Sequence, residues 1–313
     1  MDLSIIIVSW NVKEKLKKNL EKLLQSKGNL KFEIFIVDNN SSDNSVEMIK
    51  KKFPQAPLDE ANYLTGQLKL IANQKNLGFA AANNQALCKA KGDFILLLNP
   101  DMEVMPDTLI NMVNWMKENK QASIAGCNLI DQQDKTIQSI RRFPTIWDQL
   151  AIVLKLPHVF PKILRKYLRE NFDYSKPSKV DSIRGGFFMV RNTRPVVHWC
   201  GTDRHWMSAS KAMFRLDEQY FLWFEEVDFC KQVYQNKGEV WYTPVAKCVD
   251  YVGQSFKQVA SIKTQKYFCD SMLKYFKKWH SIWQYCILRL AWPIGIFLAW
   301  IGGKAGFKRK AKT

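Results

Sequence analysis

The sequence predicts an α/β protein with a mainly parallel central sheet, and three observations support this prediction. Apolar segments of strand length alternate with segments of helical apolar spacing over the first 120 residues. The strand-like segments are rich in β-branched residues without inside–outside alternation, which is typical of strands buried on both faces. Each of them also ends on small polar residues, at the edge where parallel sheets bind ligands.

The predicted elements follow one another in regular order. Strands are predicted at residues 3–8, 32–37, 69–72 and 94–98. Helices are predicted around Leu16, Leu20, Leu23 and Leu24, around Val46, Ile49 and Phe53, and at residues 78–90. Pro106 and Asp107 suit the start of a further helix. Proline has no N–H, and the N–H groups of the first turn have no partner within the helix. The positive end of the helix dipole favours the negative charge of Asp107.

Polar or aromatic side chains follow every predicted strand. They are Ser9, Trp10 and Asn11, then Asp38, Asn39 and Asn40, then Asn73 and Asn76, and finally Asn99 and Asp101. Since the carboxyl ends of parallel strands meet at one edge, we expect these groups to converge on one crevice. Each group alone would be explained by turn chemistry, but four together favour a binding site.

The charge distribution divides the chain into a large folded part, residues 1–256, and a basic tail, residues 257–313. The whole chain carries a net charge of +18, and the tail contains twelve Lys or Arg residues against one acidic residue. A basic excess of this kind indicates an anionic partner, namely nucleic acid, anionic lipid or a phosphorylated ligand.

Several protein classes are excluded by missing motifs. No G-x-G-x-x-G follows the first strand and no G-x-x-x-x-G-K-[ST] occurs, which argues against a dinucleotide dehydrogenase and a P-loop NTPase. The seven cysteines form no C-x-x-C pair, so buried thiols in a reducing compartment are expected rather than zinc or a disulfide framework.

Five motifs, in this order, resemble those of family 2 glycosyltransferases, most closely the rhamnosyltransferase-type members that build bacterial surface polysaccharides. They are Ile-Ile-Ile-Val-Ser-Trp-Asn (5–11), Ile-Val-Asp-Asn-Asn-Ser-Ser-Asp (36–43), Asn-Leu-Gly-Phe-Ala-Ala-Ala-Asn-Asn (76–84), Leu-Leu-Leu-Asn-Pro-Asp (96–101) and Tyr-Phe-Leu-Trp-Phe-Glu-Glu-Val-Asp (220–228). The resemblance covers residues 3–256. It implies a GT-A-type fold and inverting transfer of a sugar, with dTDP-L-rhamnose as the first expected donor and a lipid-linked saccharide as the acceptor.

The resemblance also divides the catalytic domain into a nucleotide-sugar half, about residues 1–130, and an acceptor half, about residues 131–256. The residues expected to bind the nucleotide-sugar are Ser9, Trp10, Asn11, Asp38, Asn40, Asn76, Gly78, Asn99, Gly185 and Gly186. Asp38 suits the N3–H of uracil or thymine, and Trp10 offers a stacking face. Capping of the next helix is the alternative role for Asp38.

A divalent cation, Mg²⁺ or Mn²⁺, is the expected cofactor. Asn99-Pro100-Asp101 stands where the family has its Asp-x-Asp motif, so Asp101 is expected to hold a cation that bridges the two phosphates. The family commonly has a His near Gly-Gln-Ser, and here Asp250 or Tyr251 takes its place. Asp250 is therefore a weaker candidate ligand, and reduced activity is the alternative consequence.

Glu225 and Glu226 resemble the acidic motif that supplies the catalytic base. Inversion in one displacement needs a carboxylate that removes the proton of the acceptor hydroxyl. By position Glu226 is the expected base, and Glu225 is expected to orient the acceptor or the backbone. A pair of carboxylates also commonly begins a solvated helix, which is the alternative.

The tail predicts peripheral attachment to the anionic cytoplasmic face of the plasma membrane. Residues 283–302 are mostly apolar but contain Arg289 and Pro293, and upstream aromatic residues such as Tyr275 and Phe276 alternate with lysines. A single membrane span and a helix that caps the core are the alternatives.

Two other functions remain open at this stage. A basic nucleic-acid-binding protein would explain the charge but not the carboxylates at strand ends, so no nucleic-acid partner is expected. An inactive family member acting as a membrane scaffold would explain the missing His and the stretch 192–214, which is about 15 residues longer than the family normally has before its acidic motif. The His and Cys residues of that stretch match no metal-site spacing, so a surface loop is expected.

Overall fold

The computed structural model describes residues 1–53, 67–192, 215–251 and 261–304. The strands in these ranges are β1 Leu3–Ser9, β2 Phe32–Asp38, β3 Gln67–Ala72, β4 Phe94–Leu98, β5 Met102–Val104, β6 Ala122–Ile130, β7 Ile140–Arg141, β8 Ser178–Lys179, β9 Ser182–Ile183, β10 Phe187–Arg191 and β11 Glu239–Asp250. The helices are α1 Lys13–Leu24, α2 Ser45–Lys52, α3 Phe79–Leu87, α4 Thr108–Glu118, α5 Ile146–Val153, α6 Glu225–Gln235, α7 Ser261–Trp279 and α8 Ile282–Lys304, with a short 3₁₀ helix at Leu156–His158.

The central sheet has the strand order β3-β2-β1-β4-β10-β6-β11-β5, and β8 pairs with β11. The strands β3, β2, β1 and β4 are parallel to one another, and β6 is parallel to β11. By contrast β10, β5 and β8 run antiparallel to the strands they contact. The predicted mainly parallel α/β sheet is thus confirmed, with antiparallel strands added in the second half.

The sheet is buried because its central strands are apolar on both faces. Every residue of β1, β2 and β4 is buried. One hydrophobic cluster packs α1, α2 and α4 against one face, and a second packs α3 and α6 against the other. Because β1, β2 and β4 are parallel, their carboxyl ends lie at one edge of the sheet.

The predicted elements occur close to their expected positions. β4 matches its predicted range, and the other three predicted strands differ from theirs by one or two residues. The third helix begins at Phe79 rather than Gly78, because Gly78 has φ +86 and lies outside the helix. The fourth begins at Thr108, so Asp107 precedes its first turn.

The described part of the C-terminal region is helical, and α7 packs on the rest of the protein. Tyr275 and Phe276 of α7 are fully buried beside Tyr220, Phe224 and Ile146. The expectation that these two aromatic residues lie in the headgroup layer is therefore wrong, because they complete a hydrophobic core. None of the helices in the described ranges has the length and apolar character of a membrane span.

Candidate active site

Two unpaired polar atoms lie side by side at the carboxyl ends of β1 and β2. Ser9 and Asp38 are paired residues of the parallel ladder, and both are buried. Asp38 Oδ2 accepts a hydrogen bond from the Ser41 N–H at 2.9 Å, whereas Asp38 Oδ1 and Ser9 Oγ have no hydrogen-bond partner among the described residues. The Asp38 side chain thus fixes the following loop but does not cap the next helix, α2, whose N-cap residue is Asn44. Its second oxygen stays available for a donor such as a base N–H.

Asn11 joins the loops that follow β1 and β2. Its backbone has φ 53, its N–H donates to Ser41 Oγ at 2.9 Å, and its side-chain oxygen accepts from the Ser42 N–H at 2.7 Å. The half-buried Trp10 precedes it. Asn11 therefore builds the wall of the crevice, and this leaves ligand contact to its neighbours.

Asn39, which belongs to the predicted strand-end group but not to the expected ligands, is buried at the centre of the next loop. Its Nδ2 donates to Asn76 Oδ1 at 2.9 Å and to the Gly78 carbonyl at 3.2 Å, and its Oδ1 accepts from the Leu77 N–H at 3.0 Å. Asn40, the expected ligand, is exposed with φ 66. The alternation of side chains along β2 ends at Asp38, because the chain turns there. It therefore does not predict which of the two asparagines is buried.

Gly78 is required by close packing between the donor half and the segment before α6. A Cβ at Gly78 would lie 2.7 Å from the Phe221 carbonyl oxygen, which also accepts the Phe79 N–H at 2.8 Å. Asn76 Oδ1 accepts the Gly78 N–H at 2.9 Å. These two residues thus hold the start of α3 against residues 221–224, which lead to the acidic pair.

Asn99, Gly186 and Asp101 come together at the end of β4. The Asn99 N–H donates to the Gly186 carbonyl at 2.9 Å, and the Asn99 carbonyl accepts from Asn19 Nδ2 at 3.1 Å. A Cβ at Gly186 would lie 3.3 Å from the Met102 sulfur, so a larger residue would crowd this turn. Asp101 is buried here, two residues after Asn99.

Asp250 lies next to this turn and is paired with Arg184. It is the ladder partner of Met102, and the following residue, Tyr251, donates its N–H to the Asp101 carbonyl at 3.4 Å. Arg184 Nη1 lies 3.1 Å from Asp250 Oδ2. The two predicted metal ligands therefore belong to neighbouring segments, but a guanidinium already neutralises Asp250.

The donor set at this edge fits a cation that substrate phosphates help to hold. Within the described ranges no group of three His, Cys, Asp or Glu side chains could bind a metal on its own. Asp101 and Asp250 supply carboxylates, and Mg²⁺ is commonly held by one or two carboxylates together with phosphates and water. The chain thus provides a partial site rather than a complete cage.

Glu225 and Glu226 occupy different environments at the start of α6. Glu225 is buried and its Oε2 has no hydrogen-bond partner among the described residues, so burial, followed by the charge of Glu226, raises its pKa well above the usual range. Glu226 is half-buried, and burial raises its pKa while backbone N–H groups and Arg184 act in the opposite direction. Of these two glutamates, only Glu226 combines a raised pKa with partial exposure.

Glycine at position 185 brings the acidic pair close to the strand-end turn. A Cβ at Gly185 would lie 3.6 Å from both Cβ and Cγ of Glu226, while the next residue, Gly186, accepts the Asn99 N–H. One dipeptide therefore contacts the candidate base on one side and the candidate diphosphate turn on the other.

The residues that precede α6 are in a strained conformation. Trp223 has φ 66 and Phe224 has φ 70, values that cost bulky residues about 1–3 kcal/mol each. Helix α7 holds them in place: Ser271 Oγ donates to the Leu222 carbonyl at 2.8 Å, and the Phe224 ring packs 5.4 Å from that of Tyr275. The acidic pair is thus positioned by a segment of the supposed tail.

Asp228 connects α6 to α7 directly. This fully buried carboxylate accepts hydrogen bonds from Tyr220 Oη (3.1 Å), Gln232 Nε2 (2.6 Å), Lys278 Nζ (2.9 Å) and Trp279 Nε1. Lys278 also contacts Asp217 at 2.8 Å. Asp228 is part of the fifth motif, but its partners in α7 lie about 50 residues later and carry no local sequence signal.

The sequence is similar to those of known glycosyltransferases. The sequence model of glycosyl transferase family 2 matches residues 4–192. The rhamnosyltransferase WbbL of Escherichia coli is 24% identical over 251 residues, which cover 79% of this chain and 82% of WbbL. The uncharacterized glycosyltransferase YfnE of Bacillus subtilis is 28% identical over 58% of this chain, and the match spans only 42% of YfnE.

Solved structures share the fold at low sequence identity. The mannosyltransferase PcManGT of Pyrobaculum calidifontis, solved with GDP-Man and Mn²⁺, has a TM-score of 0.55 at 16% identity, with 98% of this chain and 76% of that chain covered. GalNAc-T7, solved with UDP, GalNAc and Mn²⁺, has a TM-score of 0.55 at 14% identity, with 87% and 48% covered. The expected GT-A-type fold is confirmed.

Proposed function

Because the chain belongs to glycosyl transferase family 2, we propose that it transfers a sugar from a nucleotide-diphospho-sugar to a hydroxyl group of a saccharide acceptor, with inversion. The observation that carries this proposal is the placement of Gly185-Gly186 between Glu226 and Asn99. It puts a candidate base and a candidate diphosphate turn on two sides of one glycine pair, where the reacting sugar would lie.

Glu226 is the proposed base. A carboxylate with a raised pKa is a better proton acceptor for a hydroxyl group than an ordinary one, and Glu226 has the partial exposure that an acceptor needs. The acceptor oxygen would attack the anomeric carbon as its proton passes to Glu226, and the bond to the nucleoside diphosphate would break on the opposite side. Glu225 supports this arrangement from the protein interior.

Asp101 is the proposed metal ligand, with Asp250 as a second carboxylate. When bound, Mg²⁺ or Mn²⁺ would supply Lewis-acid neutralisation of the diphosphate. The Arg184 guanidinium beside Asp250 adds a positive charge from the protein itself. Together these residues would hold the negatively charged leaving group against the end of β4.

The donor we propose is a dTDP- or UDP-sugar, with dTDP-L-rhamnose first. Asp38 Oδ1 lacks a hydrogen-bond partner among the described residues and suits the N3–H that uracil and thymine share. The 24% identity to WbbL, a rhamnosyltransferase, supports rhamnose. Ser9 and Trp10 complete the proposed nucleoside side of the site, whereas Asn40 is exposed and Asn76 holds the start of α3.

The acceptor we propose is a lipid-linked saccharide at the cytoplasmic face of the plasma membrane. A relative in Proteus mirabilis, named undecaprenyl-phosphate 4-deoxy-4-formamido-L-arabinose transferase, is 26% identical over 42% of this chain. The net charge of +18 supports attachment to an anionic lipid surface. An acceptor in the membrane would then be concentrated at the enzyme.

A nucleotide-sugar panel tests this function directly. Thermal unfolding is measured with dTDP-rhamnose, UDP-sugars and GDP-mannose, each with and without Mn²⁺. Bound ligand at 100 times its Kd stabilises by about 2.7 kcal/mol, so the true donor raises the melting temperature. Hydrolysis of the same donor then separates an enzyme from an inactive scaffold. Stabilisation by no nucleotide-sugar would refute the proposal.

A further inference from the structure

Helix α8 carries a continuous apolar stripe that remains exposed among the described residues. The side chains of the stripe are Trp283, Ile287, Leu290, Ile294 and Phe297, at helical spacing and between 40% and 76% exposed. The opposite side of α8 is buried, with Leu288 and Ala291 in the third hydrophobic cluster. One side of α8 therefore packs on the protein, and the other side is an exposed apolar surface.

A second exposed apolar segment, distant in sequence, follows the helix on which α8 rests. A Cβ at Gly295 would lie 2.6 Å from Val153 Cγ1, so α8 crosses the end of α5 at close range. The turn after α5 exposes Val159 (69%), Phe160 (59%) and Ile163 (43%). We define the α8 stripe and these three residues as the docking face.

Basic residues lie beside the docking face. Lys162, Arg165 and Lys166 are exposed in the same turn, and Arg289 is exposed on α8. The sequence continues after α8 with Lys308, Arg309, Lys310 and Lys312. A protein core would not place this much positive charge around its apolar contact, whereas an anionic lipid surface attracts each such charge by about 1 kcal/mol.

The groove between α7 and α8 has the chemistry of a lipid contact as well. It has a volume of about 630 Å³ and is lined by Lys266, Trp292, Pro293, Ile296, Phe297 and Trp300. Phe297 belongs to both the groove and the stripe. A hydrocarbon chain fits such walls, and Lys266 at the rim suits a lipid phosphate.

We propose that the docking face inserts into the headgroup layer of an anionic bilayer, with α8 lying in the membrane plane and the turn at residues 159–163 as a second point of contact. This deepens the proposed membrane attachment, which the sequence assigned to the tail alone. Two separate contacts fix the orientation of the protein on the surface. Phe224, which precedes the acidic pair, shares the third hydrophobic cluster with α8, so packing links α8 to the segment that carries the candidate base.

Vesicle flotation of the full chain tests the docking face. The probes are vesicles of phosphatidylcholine with and without phosphatidylglycerol. Burial of one large apolar side chain contributes about 1.5–3 kcal/mol, so we expect each of Leu290→Ser/Phe297→Ser and Val159→Ser/Phe160→Ser to weaken partitioning at least about tenfold. The matched control Met105→Ser/Val245→Ser removes exposed apolar residues on β11 and just after β5 and should leave partitioning unchanged. Lys162→Glu/Lys166→Glu should weaken binding only to the anionic vesicles.

Unchanged partitioning of either apolar double variant would overturn the proposal. It would also be overturned if the wild-type protein did not bind vesicles and light scattering showed a dimer that the α8 variant converts into a monomer. If a double variant no longer unfolds cooperatively, the single variants Leu290→Ser and Phe160→Ser are used in its place. Binding of dTDP, measured by calorimetry on the same samples, reports on the proposed enzyme function separately. Absent dTDP binding with the expected flotation would refute the first proposed donor, dTDP-L-rhamnose, and leave the docking face.

Discussion

Lys278 Nζ lies 2.9 Å from Asp228 Oδ2, so a residue of α7 neutralises a fully buried carboxylate two positions after Glu226. The neighbouring Trp279 donates its indole N–H to the other oxygen of the same carboxylate. A buried charge without its partners is costly, which makes this contact a constraint on the orientation of α6. Helix α7 is consequently a part of the catalytic scaffold.

This contact predicts that Trp279 acts as a positioning residue. Trp279→Phe keeps the ring packing but removes the N–H, so we expect a loss of about 1–2 kcal/mol in stability, as for a hydrogen bond to a charged group. We also expect kcat to fall about tenfold with an unchanged KM for the donor, because a small displacement of the base slows the chemical step. Steady-state kinetics and thermal unfolding provide the measurement.

Trp283→Phe is the matched control, because Trp283 is exposed on α8. We expect it to match wild type in kcat on an acceptor that is soluble in water. If Trp279→Phe changed only the KM for the donor and retained the wild-type kcat, the positioning role would be contradicted.

The second prediction separates the two glutamates. Glu226→Gln removes the proposed base and should lower turnover by at least about 10² while donor affinity is retained. Glu225→Gln should keep most of the activity, since the Glu225 side chain is buried and already favours its neutral form. A crippled Glu225→Gln beside a nearly normal Glu226→Gln would reverse the assignment.

The raised pKa of Glu225 predicts how stability depends on pH. An unfolded glutamate has a pKa of about 4.3, so above that pH the folded state binds more protons than the unfolded state at this site, and the free energy of unfolding decreases as pH rises to the folded pKa. Glu225→Gln should remove this decrease. We therefore expect the variant to be more stable than wild type at neutral pH and the advantage to vanish towards pH 4, as urea unfolding would measure. The exposed Glu118→Gln serves as the control, and a pH-independent difference would contradict the prediction.

The fourth prediction concerns nucleotide recognition. Asp38→Asn replaces the acceptor oxygen of a charged carboxylate, and a hydrogen bond to a charged group contributes about 1.5–3 kcal/mol, so dTDP or UDP should bind at least about tenfold more weakly. Asn40→Ala, at an exposed position, should change the affinity by less than about threefold. Calorimetric titration decides this, and equal effects of the two substitutions would remove Asp38 from the nucleoside site.

The fifth prediction concerns the cation. Asp101→Ala should abolish transfer and leave the melting temperature in the absence of nucleotide within a few degrees of wild type, because Asp101 is proposed to contact the diphosphate through the metal. Chelation by EDTA should have the same effect and should be reversed by Mn²⁺. Full activity in EDTA would remove the metal from the mechanism.

Local sequence patterns determined the donor half of this protein. Apolar β-branched segments such as Leu3–Ser9 and Phe94–Leu98 form buried strands wherever they pack, and the polar residues after them must then lie at one edge. Ser9, Asp38 and Asp101 were identified on that basis, and the structure places all three at strand ends. Asn40 rather than Asn39 was expected to contact the ligand, because the choice between two adjacent asparagines depends on which way the chain turns.

Only the tertiary structure decided what the C-terminal region does. The alternation of aromatic and basic residues in α7 fits both a membrane surface and a protein core, and the partner surface decides between them. Tyr275 packs against Phe224, and Trp279 reaches Asp228 across about 50 residues of sequence. The docking face likewise joins α8 to Val159 and Phe160 through the contact of Gly295 with Val153. Such contacts join segments distant in the chain, and no periodicity within one segment encodes them.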